Sequence, residues 1–240
     1  MDRGLYIAAS GMVAELTRQD QVANDLANAS TPGYKPDRSA QQSFGELLLQ
    51  NTADGAAVGT LGLGARISRT VTDLSPRALE QTGEPLDVAL DGDGFLAVET
   101  PAGRRYTRDG QLTLDAEGRL RTATGYLVLG DDGRPIRAGS ASGLEIAADG
   151  TVRSGGRAVG RLGVVSLREP VKQGDTLFAG LPGPRPAATA VRQGYLEGSG
   201  VDATTALVGM LQSLRAYQSD QQAIQAIDET LEKGIAAGGI

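Results

Sequence analysis

Between Leu86 and Leu167 the chain repeatedly sets an acidic residue before a glycine: Asp91-Gly92, Asp93-Gly94, Asp109-Gly110, Glu117-Gly118, Asp132-Gly133 and Asp149-Gly150. Such a pair combines a backbone free to adopt positive φ with a side chain that accepts nearby backbone N–H groups, which is the chemistry of a tight hairpin turn. The intervals hold strand-sized apolar runs, among them Leu86-Asp87-Val88-Ala89-Leu90, Phe95-Leu96-Ala97-Val98, Tyr126-Leu127-Val128-Leu129 and Leu162-Gly163-Val164-Val165. A stretch cut this often has no room for long helices. It predicts a central antiparallel β domain built as a meander of short hairpins.

The two ends of the chain carry a different period. From about Asp2 to Asn28, Leu5, Ala9, Met12, Leu16, Gln19, Ala23 and Leu26 advance by alternating steps of four and three, a helical stripe. Pro32 and Gly33 end it, because proline disfavours helical geometry at Thr31 and glycine accepts positive φ. From about Asp202 to Lys233, Leu207, Met210, Leu214, Tyr217, Gln221, Ile224, Asp228 and Leu231 repeat at heptad spacing, with Asp202 as the N-cap. The fold class predicted is therefore α+β: a central β domain flanked by long amphipathic helices that pair as a coiled-coil-like assembly region. Whether the two stripes bury each other within one chain or pack against neighbouring subunits stays open at this level.

Four segments follow: an N-terminal assembly helix over 1–35, a connector over 36–81, the β domain over 82–192 and a C-terminal assembly helix over 193–240. In the connector, Phe44, Leu47, Leu48 and Leu49 suggest one or two helical turns. Gly55, Gly59, Gly62 and Gly64 then suggest loop or extended chain.

Composition narrows the chemistry. The chain has no Cys and no His, which removes thiolate nucleophiles, disulfides, the common zinc sites and any triad that needs an imidazole base. Acidic residues number 29 against 23 basic, and the net charge of -6 opposes a phosphate backbone, so nucleic acid is not an expected partner. Aromatics are 4% and Trp is absent, too few to line a deep aromatic pocket. No run approaches the roughly 20 apolar residues that span a bilayer, and the start of the chain lacks the cationic and apolar regions of a cleaved signal, so direct membrane insertion is not expected.

The local candidates for chemistry reduce to structure. Asp91-Gly92-Asp93-Gly94 offers Phe95, Leu96 and Ala97 where a calcium loop needs oxygen ligands, so it reads as a turn. Gly59-Thr60-Leu61-Gly62-Leu63-Gly64 has no Lys-Ser or Lys-Thr ending and reads as a connector instead of a phosphate loop. Asp131-Asp132 and Asp228-Glu229 are sequence neighbours that point apart, and read as solvated charge. No catalytic, cofactor or metal residue is singled out, no cofactor is expected, and the chain is not expected to be an enzyme.

Four blocks resemble one family. Leu5-Tyr6-Ile7-Ala8-Ala9-Ser10-Gly11-Met12 with Asn24-Asp25-Leu26-Ala27-Asn28-Ala29-Ser30-Thr31-Pro32-Gly33-Tyr34-Lys35 is similar to the N-terminal signature of flagellar axial proteins of the rod and hook. Thr82-Gly83-Glu84-Pro85-Leu86-Asp87-Val88-Ala89-Leu90, Gly92-Asp93-Gly94-Phe95-Leu96-Ala97-Val98 and Tyr106-Thr107-Arg108-Asp109-Gly110 resemble its central β segment. Asp149-Gly150-Thr151-Val152 with Val159-Gly160-Arg161-Leu162-Gly163-Val164-Val165, and the opening Met1-Asp2-Arg3, look more like the proximal (FlgF) than the distal (FlgG) rod type. Gln193-Gly194-Tyr195-Leu196-Glu197-Gly198-Ser199-Gly200-Val201-Asp202 through Arg215-Ala216-Tyr217 is similar to the C-terminal signature. Asp25, Gly200 and Gln218 depart from the residues usual there.

The resemblance implies a structural subunit of the flagellar basal-body rod. Its terminal helices would line a hollow shaft that transmits torque, and it would leave the cell through the flagellar type III export apparatus without a cleaved signal. The implied partners are copies of itself, neighbouring axial proteins and that apparatus. The expected subunit-interface residues are Leu5, Ala9, Met12, Leu16, Asn24, Leu26, Asn28, Leu207, Met210, Leu214, Tyr217 and Ile224. A distal rod or hook-type subunit is the alternative, and a carboxylate-dependent hydrolase on the β domain is an alternative of another class.

Overall fold

The computed structural model describes residues 2–43, 46–50, 57–62, 64–141, 143–174 and 176–238. The chain divides into two compact units, each treated by itself. The first comprises Met1–Ala27, Asp37–Thr72 and Asp202–Ile240, and the second Asn28–Pro36 and Asp73–Val201.

In the first unit, helix α1 runs Asp2–Ala27 and helix α2 runs Ala203–Gly238. The predicted cap of α2 is present: the Thr205 N–H donates to Asp202 Oδ1 at 2.7 Å. These bonds from Thr205 hold the Asp202 carboxyl below its ordinary range. The unit also contains two antiparallel ribbons, Asp37–Ser43 paired with Ala65–Thr72 and Glu46–Gln50 paired with Ala57–Gly62. This corrects the expected helical turns at 39–50, while the chain after them is extended, as strand. Leu47 stands opposite Leu61, Leu48 opposite Thr60 and Leu49 opposite Gly59. A short apolar run looks alike as helix or strand, and here a strand partner ten or more residues on decides it. Phe44 and residues 51–56 lie outside the described residues.

The second unit is the β body. Among the described residues its main antiparallel sheet runs, in spatial order, Leu167–Lys172, Leu177–Pro182, Gly103–Thr107, Phe95–Thr100, Leu127–Val128, Leu120–Thr122 and Leu112–Leu114, with Val164–Val165 also on Phe95–Thr100. A separate three-stranded sheet holds Leu144–Ile146, Thr151–Ser154 and Arg157–Arg161. An antiparallel β region is therefore present, but the order is not that of a simple meander, because Leu177–Pro182 returns to pair with Gly103–Thr107. Two further pairs bring late chain back to early chain: Ala190–Gln193 on Val88–Asp91, and Tyr195–Glu197 on Leu79–Gln81.

Strand Phe95–Thr100 is covered on both faces. Leu96 and Val98 enter the larger core with Val88, Leu120, Val128, Val152 and Leu162. Phe95 and Ala97 face a smaller core with Tyr106, Leu129 and Phe178, where the Phe95 and Phe178 ring centroids lie 5.2 Å apart. Each buried Leu, Val or Phe stabilises by about 1.5–3 kcal/mol relative to exposure, so this strand is the spine of the body.

Although Gly92 and Gly94 have positive φ, Asp91-Gly92-Asp93-Gly94 joins strands that pair elsewhere; Glu117-Gly118, Asp132-Gly133 and Asp149-Gly150 form turns as expected, with positive φ at the glycine. Asp109-Gly110 does not. Gly110 has no positive φ and its carbonyl accepts the Val88 N–H at 3.0 Å, so close to Val88 that a side chain at 110 would overlap its carbonyl. Asp109 is buried, accepts the Gln111 N–H at 3.0 Å, and its carboxyl is pushed up, chiefly by burial. Glycine there permits a close backbone approach instead of a turn.

Candidate functional site

In the first unit α1 and α2 run antiparallel. Gly4 lies against Ile227, Gly11 against Asp220, and Glu15 against Ser213, so α2 numbers fall as α1 numbers rise. The shared seam is small and polar. Ala8 and Ala14 are buried, a methyl on Gly11 would stand 2.6 Å from Asp220 Oδ2, and the buried Ser213 hydroxyl reaches Glu15 Oε2 at 2.6 Å and Glu15 O at 3.0 Å. Burial, then the Glu15 charge, pushes the Asp220 carboxyl up.

The leucine stripe is not this seam. Gly4, Ala8, Gly11 and Glu15 precede Leu5, Ala9, Met12 and Leu16 by one residue each, a rotation of about 100° around the helix. Leu5, Leu16 and Leu207 stay exposed, and Leu214 remains 41% exposed. Ala9, Met12, Leu26, Met210, Tyr217 and Ile224 are half-buried, and Asn24 is exposed. Asn28 is engaged inside the second unit: its carbonyl accepts Thr31 N–H at 3.0 Å and Ser199 Oγ–H at 2.9 Å. Sequence reasoning missed Tyr6, Val13, Val208 and Leu211, which are also exposed and widen the apolar surface; Val13 is 64% exposed.

The second unit contains a buried ionic cluster that sequence reasoning also missed. Lys35 Nζ lies 2.6 Å from Glu197 Oε1, and Arg108 Nη1 lies 3.2 Å from Glu197 Oε2. Lys35 Nζ also donates to Ser75 O at 2.7 Å, and the Arg77 N–H donates to Glu197 Oε1 at 2.8 Å. Side chains of Lys35 and Glu197 are 0% and 1% exposed. Burial pulls the Lys35 and Arg108 pKa values down, and the Glu197 carboxylate partly opposes that.

Backbone bonds tighten the same junction. Gly33 N–H donates to Glu197 O at 2.8 Å, and Gly200 N–H donates to Tyr34 O at 2.9 Å. Lys172 Nζ donates to Lys35 O at 2.8 Å and stands 4.1 Å from the Tyr34 ring centroid. Gly33 has φ 67°, and a side chain there would overlap the Arg108 backbone, so only glycine fits. The chain leaving α1 and the chain leading to α2 are thereby bolted side by side in the β body.

Family profiles match three parts of the chain: "Flagella basal body rod protein" over residues 5–35, "Flagellar hook protein FlgE/F/G D1 domain" over 89–154, and "Flagellar basal body rod FlgEFG protein C-terminal" over 192–237. The flagellar basal-body rod protein FlgG of Bacillus subtilis (strain 168) is 32% identical, covering 97% of this chain and 98% of that protein. The corresponding FlgF proteins of Escherichia coli (strain K12) and Caulobacter vibrioides are each 33% identical, over 95% and 91% of this chain and the same shares of theirs. The chain belongs to the flagellar basal-body rod protein family.

The three matched regions of this rod-family chain meet at the ionic cluster. Lys35 comes from the first, Arg108 from the second and Glu197 from the third. The remaining acidic candidates lie elsewhere. Asp91 pairs with Arg192 at 2.7 Å, and Asp228 and Glu229 are exposed on α2. Among the described residues no three metal-ligating side chains converge, and no helix is long and apolar enough to cross a membrane. Membership of a family of structural rod proteins leaves the hydrolase alternative without support.

Proposed function

We propose that this chain is a structural subunit of the bacterial flagellar basal-body rod, and that it assembles through the apolar surface of α1 and α2 into a hollow shaft that transmits torque. The observation that carries the assembly reading is the exposed stripe. Leu5, Leu16, Leu207, Leu211 and Leu214, with Tyr6, Val13 and Val208, stay exposed because the helices use a small, polar seam to meet each other. A half-exposed leucine still has about 1 kcal/mol to gain from complete burial, so eight such side chains supply a strong drive toward neighbouring copies and other axial proteins. The proposed interface is Leu5, Ala9, Met12, Leu16, Asn24, Leu26, Leu207, Met210, Leu214, Tyr217 and Ile224, joined by the exposed Tyr6, Val13, Val208 and Leu211, while Asn28 is engaged in the β body. In an assembled shaft the two helices would complete a coiled-coil-like layer with those of adjacent subunits.

Export through the flagellar type III apparatus belongs to the same reading, as does a proximal, FlgF-like position, which rests on the opening Met1-Asp2-Arg3 and on the block from Val159 to Val165. Leu214→Asp tests the interface. It puts a carboxylate into a contact that is dry after assembly, and so should abolish swimming and basal-body recovery while the β body melts normally. Gln222→Asp, on an exposed position of α2, should swim. Normal swimming by Leu214→Asp would overturn the interface, and loss of the free subunit's melting transition would assign Leu214 to the subunit's own core.

A further inference from the structure

The β body holds a cleft of ≈ 330 Å³ that neither the helices nor the ionic cluster uses. Three guanidinium groups line it, those of Arg104, Arg161 and Arg185, against the single lining carboxylate of Asp131. Arg161 is anchored, its Nε donating to Asp149 O at 2.9 Å. Arg104 is admitted by Gly133, since a methyl there would stand 2.8 Å from Arg104 Nη2, and among the described residues no carboxylate forms an ion pair with it. Arg185 Nη1 is buried and has no hydrogen-bond partner among the described residues. That atom packs over Gly150, so the donors the cleft offers are those of Arg104 and Arg161 and the rest of the Arg185 fork. Burial, then the neighbouring Arg161 charge, pulls the Arg185 pKa down, Asp149 and Asp131 oppose this, and a bound anion would add to their side.

We propose that this cleft receives a carboxylate side chain from a second copy of this chain. Guanidinium forks match a carboxylate in a bidentate geometry, and several in one cleft select an anion over a neutral group. The partner follows from charge. Each copy carries -6 with 29 acidic residues, so copies held side by side repel unless some of those carboxylates find cationic seats. The body holds such carboxylates outward, as at Glu84 and Glu145, both exposed. The inference rests on the rod-subunit reading, which brings copies together through the helices.

The test uses basal bodies purified from cells carrying the full chain with Arg104→Lys, treated with a water-soluble carbodiimide that condenses an amine with an adjacent carboxylate, with loss of water. The expected product is a crosslinked dimer joining position 104 of one copy to an Asp or Glu of another, absent from Arg104→Ala. In parallel, Arg104→Ala/Arg185→Ala should lower the amount of subunit recovered in basal bodies by about tenfold or more, with the free subunit's melting unchanged. Recovery at the wild-type level would overturn the proposal, as would a crosslink to a different protein. So would protection of the cleft arginines from phenylglyoxal by citrate with assembly unaffected, which marks a small-anion site. Absence of the unsubstituted protein from basal bodies is a separate result: it removes the rod reading itself, and the proposal with it.

Discussion

Glu197→Gln removes one charge and almost no volume from the β body, yet it takes the carboxylate that pairs with both buried cations of the site. The amide oxygen can still accept the Arg77 N–H bond now made at 2.8 Å, so that contact is kept. What is lost is the charge opposite Lys35 Nζ at 2.6 Å and Arg108 Nη1 at 3.2 Å, both on side chains no more than 2% exposed. A neutral hydrogen bond contributes about 0.5–1.5 kcal/mol, whereas stranding a buried charge costs about 3–5 kcal/mol. The second figure applies here, since both cations stay buried and now repel each other. Against a domain stability of about 5–15 kcal/mol, that is a large fraction. Urea unfolding of the full chain at pH 7, followed on the β body, reads it directly. Lys35→Met should cost less, because Arg108 remains for Glu197, and the double variant should show coupling of about 2 kcal/mol or more. The pH sign is also set. Burial holds the Lys35 pKa below its ordinary 10.5, so between the two values the unfolded chain binds more protons and stability rises with pH. The Glu197→Gln deficit should therefore shrink as pH is raised toward 10.5. A Glu197→Gln cost under about 1 kcal/mol would refute the claim that this cluster bolts the junction.

Three further outcomes are expected. Gly33→Ala should destabilise the β body by about 2 kcal/mol or more in the same urea assay, since φ is 67° and the added carbon meets the Arg108 backbone. The Asp220 carboxyl is raised in the folded state, so its contribution to the helix pair is complete below an ordinary carboxyl pKa of 3.8 and lost as pH rises through the raised value, opposite in sign to the Asp202 cap; helical circular dichroism should show it as a fall in melting temperature as pH rises through that value. Asp220→Asn should flatten that pH dependence.

Much of the helical layout is legible in sequence because it is local. The period of three and four marks both helices, Asp202 announces its cap, and Pro32-Gly33 marks the exit from α1. The leucine stripe is legible as a stripe, but its partner is not. Periodicity finds the most apolar face, while the face the helices share is a small one, through Gly4, Ala8 and Gly11, that lets the backbones approach. Strand pairs such as Tyr195–Glu197 with Leu79–Gln81 join residues more than a hundred apart, and no local pattern carries that information. The ionic cluster was hidden for the same reason. Lys35, Arg108 and Glu197 each look like an ordinary surface charge until the fold brings them together. The clue on offer was a charged residue inside each of the three signature blocks.

The central claim is that the exposed apolar surface of α1 and α2 is covered by neighbouring subunits in the rod, and the lack of any native cysteine allows a direct measurement. Leu207→Cys and Leu214→Cys, made one at a time, would be treated with a maleimide as free subunit and in purified basal bodies, and labelling compared after denaturation. The account predicts rapid labelling of the free subunit and strong protection in basal bodies at both positions. Equal labelling of the free and assembled protein would contradict it.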